Sequence, residues 1–329
     1  MEFIGNQNTK DRIKVAIASA RQRNTAVPHM LLSGAAGCGK TTTAGWLSEL
    51  GGYDYLPASP LELKTKKNVY NLLEKLNMQG YNETGDRISK VKPTIVFFDE
   101  IHQLPVVAQE ILGLAMERFI LDADVPNKLI WLPYFTIVGA TTDDGILTKP
   151  FRNRFKMKFI FEPYKNDDMQ HIVKFHAIKK KLLLTDGAIC NITQRSRGVP
   201  RTMVNYLETI RDIMLNEGAK IIDDSLVDFA FETLGVDDTG LTKIEIRILK
   251  SLFTAGIPVG LDNLSIITNE SSKTISQTIE PFLIRKGLIL RTGKGRTITK
   301  EGIQYLEDRG HLDTKTTAKK FIDVNYQRG

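Results

Sequence analysis

The sequence is poor in the features that would direct it to a membrane or build a metal site. Its 329 residues include two cysteines, Cys38 and Cys190, which are too few and too far apart for a disulfide framework or a zinc site. The five histidines are not spaced as a cluster of metal ligands. No apolar run approaches the roughly twenty residues of a membrane-spanning helix, and the N-terminus carries no signal-peptide pattern. We therefore expect a cytoplasmic protein with no membrane partner.

Acidic residues are in the minority, since 45 lysines and arginines stand against 38 aspartates and glutamates, for a net charge of +7. The hydrophobic fraction of 42% and the charged fraction of 25% are typical of a folded globular chain. A chain of this length is expected to form two or three domains. The positive charge is too small to identify a polyanionic partner by itself, but it is unevenly distributed along the chain.

A glycine-rich motif lies between an apolar strand pattern and a helical one. Residues Gly34 to Thr41 fit G-x-x-x-x-G-K-[ST], and the helical pattern covers Thr42–Leu50. In such a loop the backbone N–H groups point at a polyphosphate, Lys40 reaches the outer phosphates, and the Thr41 hydroxyl can ligate Mg²⁺. The pattern alone also matches other βα turns by chance, but its flanks favour a nucleoside triphosphate site. The expected nucleotide contacts are Gly34, Ala35, Ala36, Gly37, Cys38, Gly39, Lys40, Thr41 and Thr42.

A second strand pattern ends in two carboxylates. Residues 94–98 form a continuous run of β-branched and aromatic side chains, as in a parallel strand buried on both faces, and Asp99 and Glu100 follow it. Open α/β sheets bind ligands at the carboxyl ends of their strands. We interpret Asp99 as a ligand that holds Mg²⁺ through water and Glu100 as the group that polarises the attacking water. The alternative is an acidic pair that only caps the next helix.

The chain then continues with a helical pattern over 106–119, a β-hairpin pattern over 120–131, and a third strand pattern over 134–139. This strand leads to Thr141 and Thr142. A hydroxyl at such a strand end is suited to sense the γ-phosphate or to orient water. Arg152 and Arg154 come just before a further apolar run. Surface arginines are usually solvated, so these two carry little weight by themselves.

From Pro163 the pattern becomes helical, with helices expected over 167–180, 186–195 and from Pro200 to about 216. The fixed φ of Pro200 suits the first turn of a helix, which places Arg201 at a helix N-terminus. This all-helical segment forms a second domain.

The last part of the chain has the pattern of a winged helix-turn-helix. Amphipathic helices are expected over 244–253, 261–268 and 273–285, and short strands over 287–291 and 296–299. Between Leu283 and Lys300 there are six basic residues and no acidic one. We expect Arg291, Lys294 and Arg296 to contact DNA phosphates. A solvated hairpin or a protein-contact module is the alternative.

Taken in order, these segments resemble the RuvB family of Holliday junction branch-migration ATPases, which belongs to the AAA+ class. The resemblance covers nearly the whole chain and depends on several separated motifs. They are residues 3–5 (FIG), the phosphate loop, 99–102 (DEIH), 139–142 (GATT), 151–155 (FRNRF), 195–201 (RSRGVPR), 234–237 (LGVD), 258–261 (PVGL), 279–281 (IEP) and 291–296 (RTGKGR). The resemblance implies an α/β AAA+ parallel-sheet P-loop ATPase domain, a helical lid domain and a C-terminal winged helix, with predicted bounds of 1–162, 163–235 and 236–310 and a polar tail at 311–329.

The resemblance also implies roles for individual residues. Thr142 is similar to the first sensor, Arg154 to the arginine finger offered to a neighbouring subunit (with Arg152 as its rival), and Arg201 to the second sensor, on the lid. Ile4 and Tyr164 match positions that pack around adenine. The cofactors implied are ATP and Mg²⁺, and the assembly implied is a hexameric ring around duplex DNA.

Several positions depart from the family pattern. The phosphate loop has Ala35, Ala36 and Cys38 where prolines and leucine are usual, and the segment between Gly51 and Lys92 is longer than expected. We expect residues 80–92 to form an exposed excursion. In the family the 120–131 hairpin engages RuvA, the junction-binding partner, and its shortness here argues against dependence on a RuvA-like partner. These departures favour a divergent relative of the family, and a phage genome is one place where such a gene could be encoded.

The function expected from the sequence is ATP-dependent DNA translocation that drives Holliday junction branch migration, with double-stranded or four-way-junction DNA as the partner. One alternative is a clamp loader subunit, although clamp loaders usually carry a helical collar where this chain has a wing. The other is an initiator-like protein that binds DNA in its ATP state and turns over slowly.

Overall fold

The computed structural model describes residues 3–78, 92–122 and 129–312, and these divide into two compact units, 1–222 and 223–329. The first unit contains a five-stranded sheet in the order β2-β3-β6-β1-β7, with every neighbouring pair parallel. Its strands are β1 (Met30–Gly34), β2 (Asp54–Ala58), β3 (Thr94–Phe98), β6 (Phe135–Thr141) and β7 (Met157–Phe161). The predicted α/β parallel-sheet class is confirmed.

Helices cover both faces of this sheet, as is usual for a parallel sheet. Alternate strand residues point to opposite sides, so each face has its own set of buried side chains. On one face Leu32 and Phe97 pack with buried residues of α1 (Gln7–Arg23) and α2 (Lys40–Gly51). On the other face Leu31 and Phe98 pack with buried residues of three more helices. Those helices are α3 (Lys66–Met78), α4 (Val106–Arg118) and α5 (Lys149–Asn153). The predicted hairpin between α4 and β6 is confirmed as the antiparallel pair β4 (Ile120–Asp122) and β5 (Leu129–Trp131).

Three helices complete the first unit: α6 (Asn166–Lys179), α7 (Asp186–Arg195) and α8 (Pro200–Asn216). The backbone of Val199 is extended, and Pro200 is the first helical residue of α8, as the sequence predicted. A short parallel bridge between Leu184 and Ile222 fastens the end of this helical segment to its own middle. These helices confirm that the sheet is followed by an all-helical segment.

The second unit is a winged helix preceded by α9 (Asp224–Leu234). It contains α10 (Lys243–Ala255), α11 (Leu261–Thr268), α12 (Ser272–Thr274), a π-helical turn (Ile275–Ile279), α13 (Glu280–Arg285), the antiparallel strands β8 (Ile289–Thr292) and β9 (Gly295–Ile298), and α14 (Lys300–Asp308). Its core is formed by side chains of these elements, including Ile248, Leu283 and Leu306. The predicted winged helix is confirmed.

Three elements differ from the sequence prediction. The single helix expected over 273–285 changes from α to π and back, and Pro281, in the first turn of α13, has no N–H to donate to the preceding turn. Strand β2 was not predicted because it lies at the edge of the sheet, carries Pro57 and is only partly buried. Helix α14 was not predicted either.

Two further expectations concern segments that lie mostly outside the described residues. The excursion expected over 80–92 lies outside the described residues except for Lys92, and the tail at 311–329 lies outside them except for its first two residues. Within the described ranges, no helix is long and apolar enough to cross a membrane.

Candidate nucleotide-binding site

The loop between β1 and α2 is folded as a phosphate cradle. Gly34, Gly37 and Gly39 have φ angles of 146°, 80° and 90°, so the chain turns repeatedly through conformations that favour glycine. A Cβ on Gly34 would lie 2.2 Å from the carbonyl oxygen of Phe161, and one on Gly37 would lie 2.7 Å from the Cβ of Arg201. The loop therefore needs glycine at these positions both for its backbone and for close packing against its neighbours.

Lys40 lies across this loop at the start of α2. Its side chain is buried, and its Nζ donates to the carbonyl oxygens of Gly34 at 2.6 Å and Ala35 at 2.9 Å. Burial lowers the pKa of the ammonium group, while the carboxylate of Glu100 acts in the opposite direction. The loop thus holds a cation against its own carbonyl groups, where an outer phosphate could replace them as the partner.

The loop forms one wall of a cleft of about 320 Å³. This cleft brings together predicted residues from three parts of the chain: the loop itself, the end of β3, and the start of α8. Its lining is Ala36, Gly37, Gly39, Lys40, Thr41, Thr42, Asp99, Glu100, His176, Pro200, Arg201, Val204 and Asn205. Cys38 is not part of the lining, because its side chain is fully buried in the core beneath the loop. Any contribution of Cys38 to nucleotide binding must come from its backbone.

Two strand ends place polar groups beside one another at the edge of the sheet. The carboxyl end of β3 carries Asp99 and Glu100, and the neighbouring β6 ends at Thr141, followed by Thr142. The Thr142 hydroxyl donates to Glu100 Oε2 at 3.1 Å, and the Thr142 backbone N–H lies 3.3 Å from the same oxygen. The structure therefore brings the predicted water-polarising residue and the predicted first sensor into direct contact.

Arg201 joins the helical segment to the loop. Its backbone N–H donates to the carbonyl oxygen of Gly37 at 3.3 Å, and its side chain lines the cleft from the first turn of α8. The N-terminus of α8 therefore faces the loop. The same helix contributes Val204 and Asn205, one turn further on.

The residues predicted to surround adenine lie at the other side of the loop. The Tyr164 hydroxyl packs against Gly39, where a Cβ would lie 2.9 Å from its oxygen, and the ring lies against Gly5. Burial raises the pKa of Tyr164 to about 12, so this hydroxyl is neutral at physiological pH. Ile4, between Phe3 and Gly5, is half-buried. Tyr164 and the 3–5 segment thus form an apolar wall next to the phosphate loop.

Arg154 and Arg152 lie at the amino ends of the strands, whereas the phosphate loop lies at their carboxyl ends. Helix α5 and Arg154 precede β7, whereas the loop follows the parallel neighbour β1. Five residues of strand separate the two ends by roughly 16 Å, since a strand rises about 3.3 Å per residue. The Nε of Arg154 lies 3.3 Å from Glu117 Oε1, in a second cavity of about 630 Å³. Neither arginine is brought to the nucleotide cleft of its own chain.

Three residues of the basic hairpin were predicted to contact DNA, and the structure differs from that prediction at one of them. Arg291 and Lys294 are exposed on β8 and the tip, as expected for phosphate contacts. Arg296 is buried instead, with 7% of its surface exposed, and both Nε and Nη2 donate to the carboxylate of Glu280, which is also buried. Because two nitrogens of its guanidinium donate to Glu280 of α13, Arg296 holds the wing to the helices instead of standing in solvent as Arg291 and Lys294 do.

Family models match the chain in three consecutive segments. The Holliday junction DNA helicase RuvB P-loop domain matches residues 1–160, the RuvB AAA lid domain 164–237, and the RuvB C-terminal winged helix domain 238–307. The chain belongs to the RuvB family. Among its RuvB relatives is the Holliday junction branch migration complex subunit RuvB of Fervidobacterium nodosum, which is 34% identical over 314 residues, covering 93% of this chain and 86% of that protein.

Solved RuvB structures share the same fold. A Thermotoga maritima RuvB variant superposes with a TM-score of 0.79 at 30% identity, covering 93% of this chain and 96% of the other. The Thermotoga maritima RuvB Holliday junction branch migration motor gives a TM-score of 0.77 at 29% identity, covering 93% and 95%. The RuvB likeness therefore spans all three segments, from residue 1 to residue 307.

Three polar residues of the site were missed by the sequence reasoning. His176 of α6 and Asn205 of α8 line the nucleotide cleft, and burial lowers the pKa of His176. His102 lies beside Glu100 and Thr141. His176 and Asn205 reach the cleft only through the packing of the helical segment, so no local pattern could have found them. His102 does belong to the 99–102 motif (DEIH), but the residue that it contacts, Thr141, is 39 positions away in the sequence.

Proposed function

We infer that the protein is an ATP-driven motor of the RuvB family that moves Holliday junctions along DNA. The observation that carries this inference is the convergence of the phosphate loop, both carboxylates of the β3 end and Arg201 on one cleft. In that cleft the loop N–H groups and Lys40 would bind the phosphates of ATP, and Glu100 would accept the proton of the attacking water. Bound in this way, ATP supplies the free energy for movement.

Mg²⁺ would enter the site together with the nucleotide. No group of three or more histidine, cysteine, aspartate or glutamate side chains in the described ranges is arranged to hold a metal. Magnesium fits such a site nevertheless, because it usually keeps several waters and is bound by one or two protein groups plus substrate phosphates. The Thr41 hydroxyl and the Asp99 carboxylate both line the cleft and are suitable oxygen ligands. With the ion bound, it neutralises charge on the phosphates.

We propose that a neighbouring subunit completes the site. Arg154 lies at the opposite edge of the sheet from its own phosphate loop, so its guanidinium can reach only the nucleotide of another copy. Arginine fingers supplied across an interface raise phosphoryl-transfer rates by about three to five orders of magnitude. This arrangement supports a ring, hexameric as in the family, in which hydrolysis depends on contact between subunits. The cytoplasm is the compartment we propose for it.

The exposed part of the wing is the proposed contact with double-stranded DNA. Arg291 and Lys294 surround a glycine tip, and residues of this kind neutralise phosphates without reading base edges. Binding that tracks phosphates suits movement along a duplex, and it argues against an initiator that recognises one sequence. The shortness of the 120–131 hairpin argues against dependence on a RuvA-like partner.

The experiment that tests the function is migration of a synthetic four-way junction by the purified protein with ATP. The expected result is strand exchange that depends on hydrolysis and is abolished in the Lys40→Ala and Glu100→Gln variants. Lys40→Ala should lose nucleotide binding, whereas Glu100→Gln should bind ATP and fail to split it. Robust ATPase without stimulation by DNA and without junction migration would refute the motor function.

A further inference from the structure

Glu100 is held in place from several directions. Its backbone adopts a left-handed conformation with φ 50° and ψ 50°, which non-glycine residues seldom occupy without support from their surroundings. Its backbone N–H donates to Asp99 Oδ1 at 3.1 Å, and its Oε2 accepts from the hydroxyl of Thr142. Within the described ranges, Oε1 has no hydrogen-bond partner. One carboxylate oxygen is therefore anchored to the protein while the other is available to a ligand or to water.

His102 is a third neighbour of the anchored oxygen. It lies on the short 3₁₀ turn Ile101–Gln103 directly after the strand end, with 17% of its side chain exposed. Its Nδ1 is 3.1 Å from Glu100 Oε2 and 2.9 Å from the Thr141 hydroxyl oxygen. That hydroxyl oxygen also accepts the backbone N–H of Asp143 at 3.0 Å. The imidazole thus links the ends of the neighbouring strands β3 and β6.

The surroundings of Nδ1 indicate which tautomer His102 adopts. An unprotonated Nδ1 would direct its lone pair toward a carboxylate oxygen 3.1 Å away, and two acceptors at that distance repel each other. A proton on Nδ1 is directed at Thr141 Oγ1, 2.9 Å away, and it also removes the repulsion with Glu100 Oε2, which lies 3.1 Å from Nδ1. We therefore assign the tautomer in which Nδ1 carries the proton and Nε2 does not.

We propose that His102 is a positioning residue for Glu100: its Nδ1–H, hydrogen-bonded to Thr141 and close to Oε2, acts together with Thr142 to hold Oε2 so that the free oxygen is oriented to take the proton of the attacking water. This inference rests on the proposed ATPase function and adds a residue to it. A general base contributes only when it is held within hydrogen-bond reach of the proton that it accepts, and displacement by about 1 Å can cost up to a hundredfold in rate. His102 would therefore affect turnover and leave nucleotide binding unaltered.

Two substitutions of nearly equal size separate this role from simple packing. In His102→Asn the side-chain amide can occupy the place of Nδ1, whereas in His102→Gln it reaches the place of Nε2. The experiment measures kcat for ATP hydrolysis under DNA-stimulated conditions, the Kd for a non-hydrolysable ATP analogue, and the Tm of the full-length protein. Wild type and Glu100→Gln are the references.

We expect His102→Gln to lower kcat at least about tenfold, His102→Asn to retain kcat within about threefold of wild type, and both to bind the analogue with unchanged Kd. Any other order of the two variants, including equal loss or no loss in both, would overturn the inference. The proposed function fails separately, since in that case wild type itself hydrolyses no ATP or Glu100→Gln is as active as wild type. A shared drop in Tm with equal activities counts against the positioning role.

Discussion

Arg291 and Arg296 face each other in the register of the β8–β9 hairpin, yet their environments are opposite. Arg291 is exposed, whereas Arg296 is buried and donates two hydrogen bonds to the buried Glu280. Removing one partner of a buried ion pair leaves an uncompensated charge, which usually costs about 3–5 kcal/mol, whereas replacing both partners with apolar groups is often neutral. At this scale, burial decides whether an arginine serves the fold or the ligand.

Substitution of Arg296 should therefore destabilise the winged unit. We expect Arg296→Ala to lower the free energy of unfolding of this unit by about 3–5 kcal/mol, because Glu280 is left buried without a partner. Urea denaturation of the full chain measures the effect. The control is the double variant Arg296→Met with Glu280→Met, which should lose much less. An Arg296→Ala protein that unfolds like wild type but binds DNA weakly would restore Arg296 as a phosphate contact.

His29 gives the first unit a dependence on acid. Its Nδ1 accepts the backbone N–H of Ile137 at 2.8 Å, so Nε2 carries the proton and donates to the carbonyl oxygen of Met116 at 3.1 Å. Burial lowers the pKa of His29 to about 4 from 6.5, although the bond to Met116 acts in the opposite direction. The neutral form is therefore the one that the fold accepts.

Because the pKa of His29 is lowered by folding, the unfolded chain takes up a proton at a higher pH than the native protein. The stabilisation is fully present above pH 6.5 and is lost progressively as the pH falls toward 4. Between pH 7 and 4.5 the loss from this residue should be roughly 2 kcal/mol in the free energy of unfolding. The measurement is urea denaturation of wild type and His29→Gln at both pH values. Equal pH dependence in the two proteins would contradict this assignment.

At the scale of elements, sequence patterns predicted what depends on local spacing. The phosphate loop, the strand β3 with its two carboxylates, and α8 with Pro200 at its start all have the predicted places. Strand β2 could not be predicted because an edge strand with Pro57 lacks the buried apolar run of its neighbours. The burial of Arg296 could not be predicted either, since its partner Glu280 is 16 residues away and meets it only in the folded unit.

The hairpin itself should determine how DNA binding responds to salt. Each neutralised phosphate contributes about −0.9 to the slope of log K against log salt concentration. We expect the double variant Arg291→Ala with Lys294→Ala to bind duplex DNA more weakly and to have a slope shallower by about two, measured by fluorescence anisotropy from about 50 to 300 mM salt.

A lysine outside the wing serves as the matched control for charge alone. Lys220 is exposed in the first unit, and Lys220→Ala should leave the slope at the wild-type value. If the wing variant kept the wild-type slope, or if Lys220→Ala changed it equally, the hairpin would not be the part that contacts phosphates.

At the scale of the whole molecule, the proposed function requires a site shared between two copies. The nucleotide cleft and Arg154 lie at opposite ends of the strands of one parallel sheet, so we propose that a finger from one copy meets the cleft of another. The Nε of Arg154 lies 3.3 Å from Glu117 Oε1 of the same chain. A ring would bring the two ends together at every interface and would make hydrolysis depend on assembly. The residue types that bind ATP were evident from the sequence, but this separation became evident only from the sheet order.

Mixing two inactive variants tests this central claim most directly. Lys40→Ala keeps Arg154 but loses its own nucleotide cleft, and Arg154→Ala keeps the cleft but has no finger. Each alone should have almost no ATPase activity. An equimolar mixture should recover up to roughly a quarter of the wild-type rate, because about one interface in four then pairs an intact cleft with an intact finger, on the assumption that finger loss costs about three orders of magnitude. Arg152→Ala in place of Arg154→Ala identifies which arginine acts. Full activity of Arg154→Ala and Arg152→Ala by themselves, or no recovery in either mixture, would contradict catalysis between subunits.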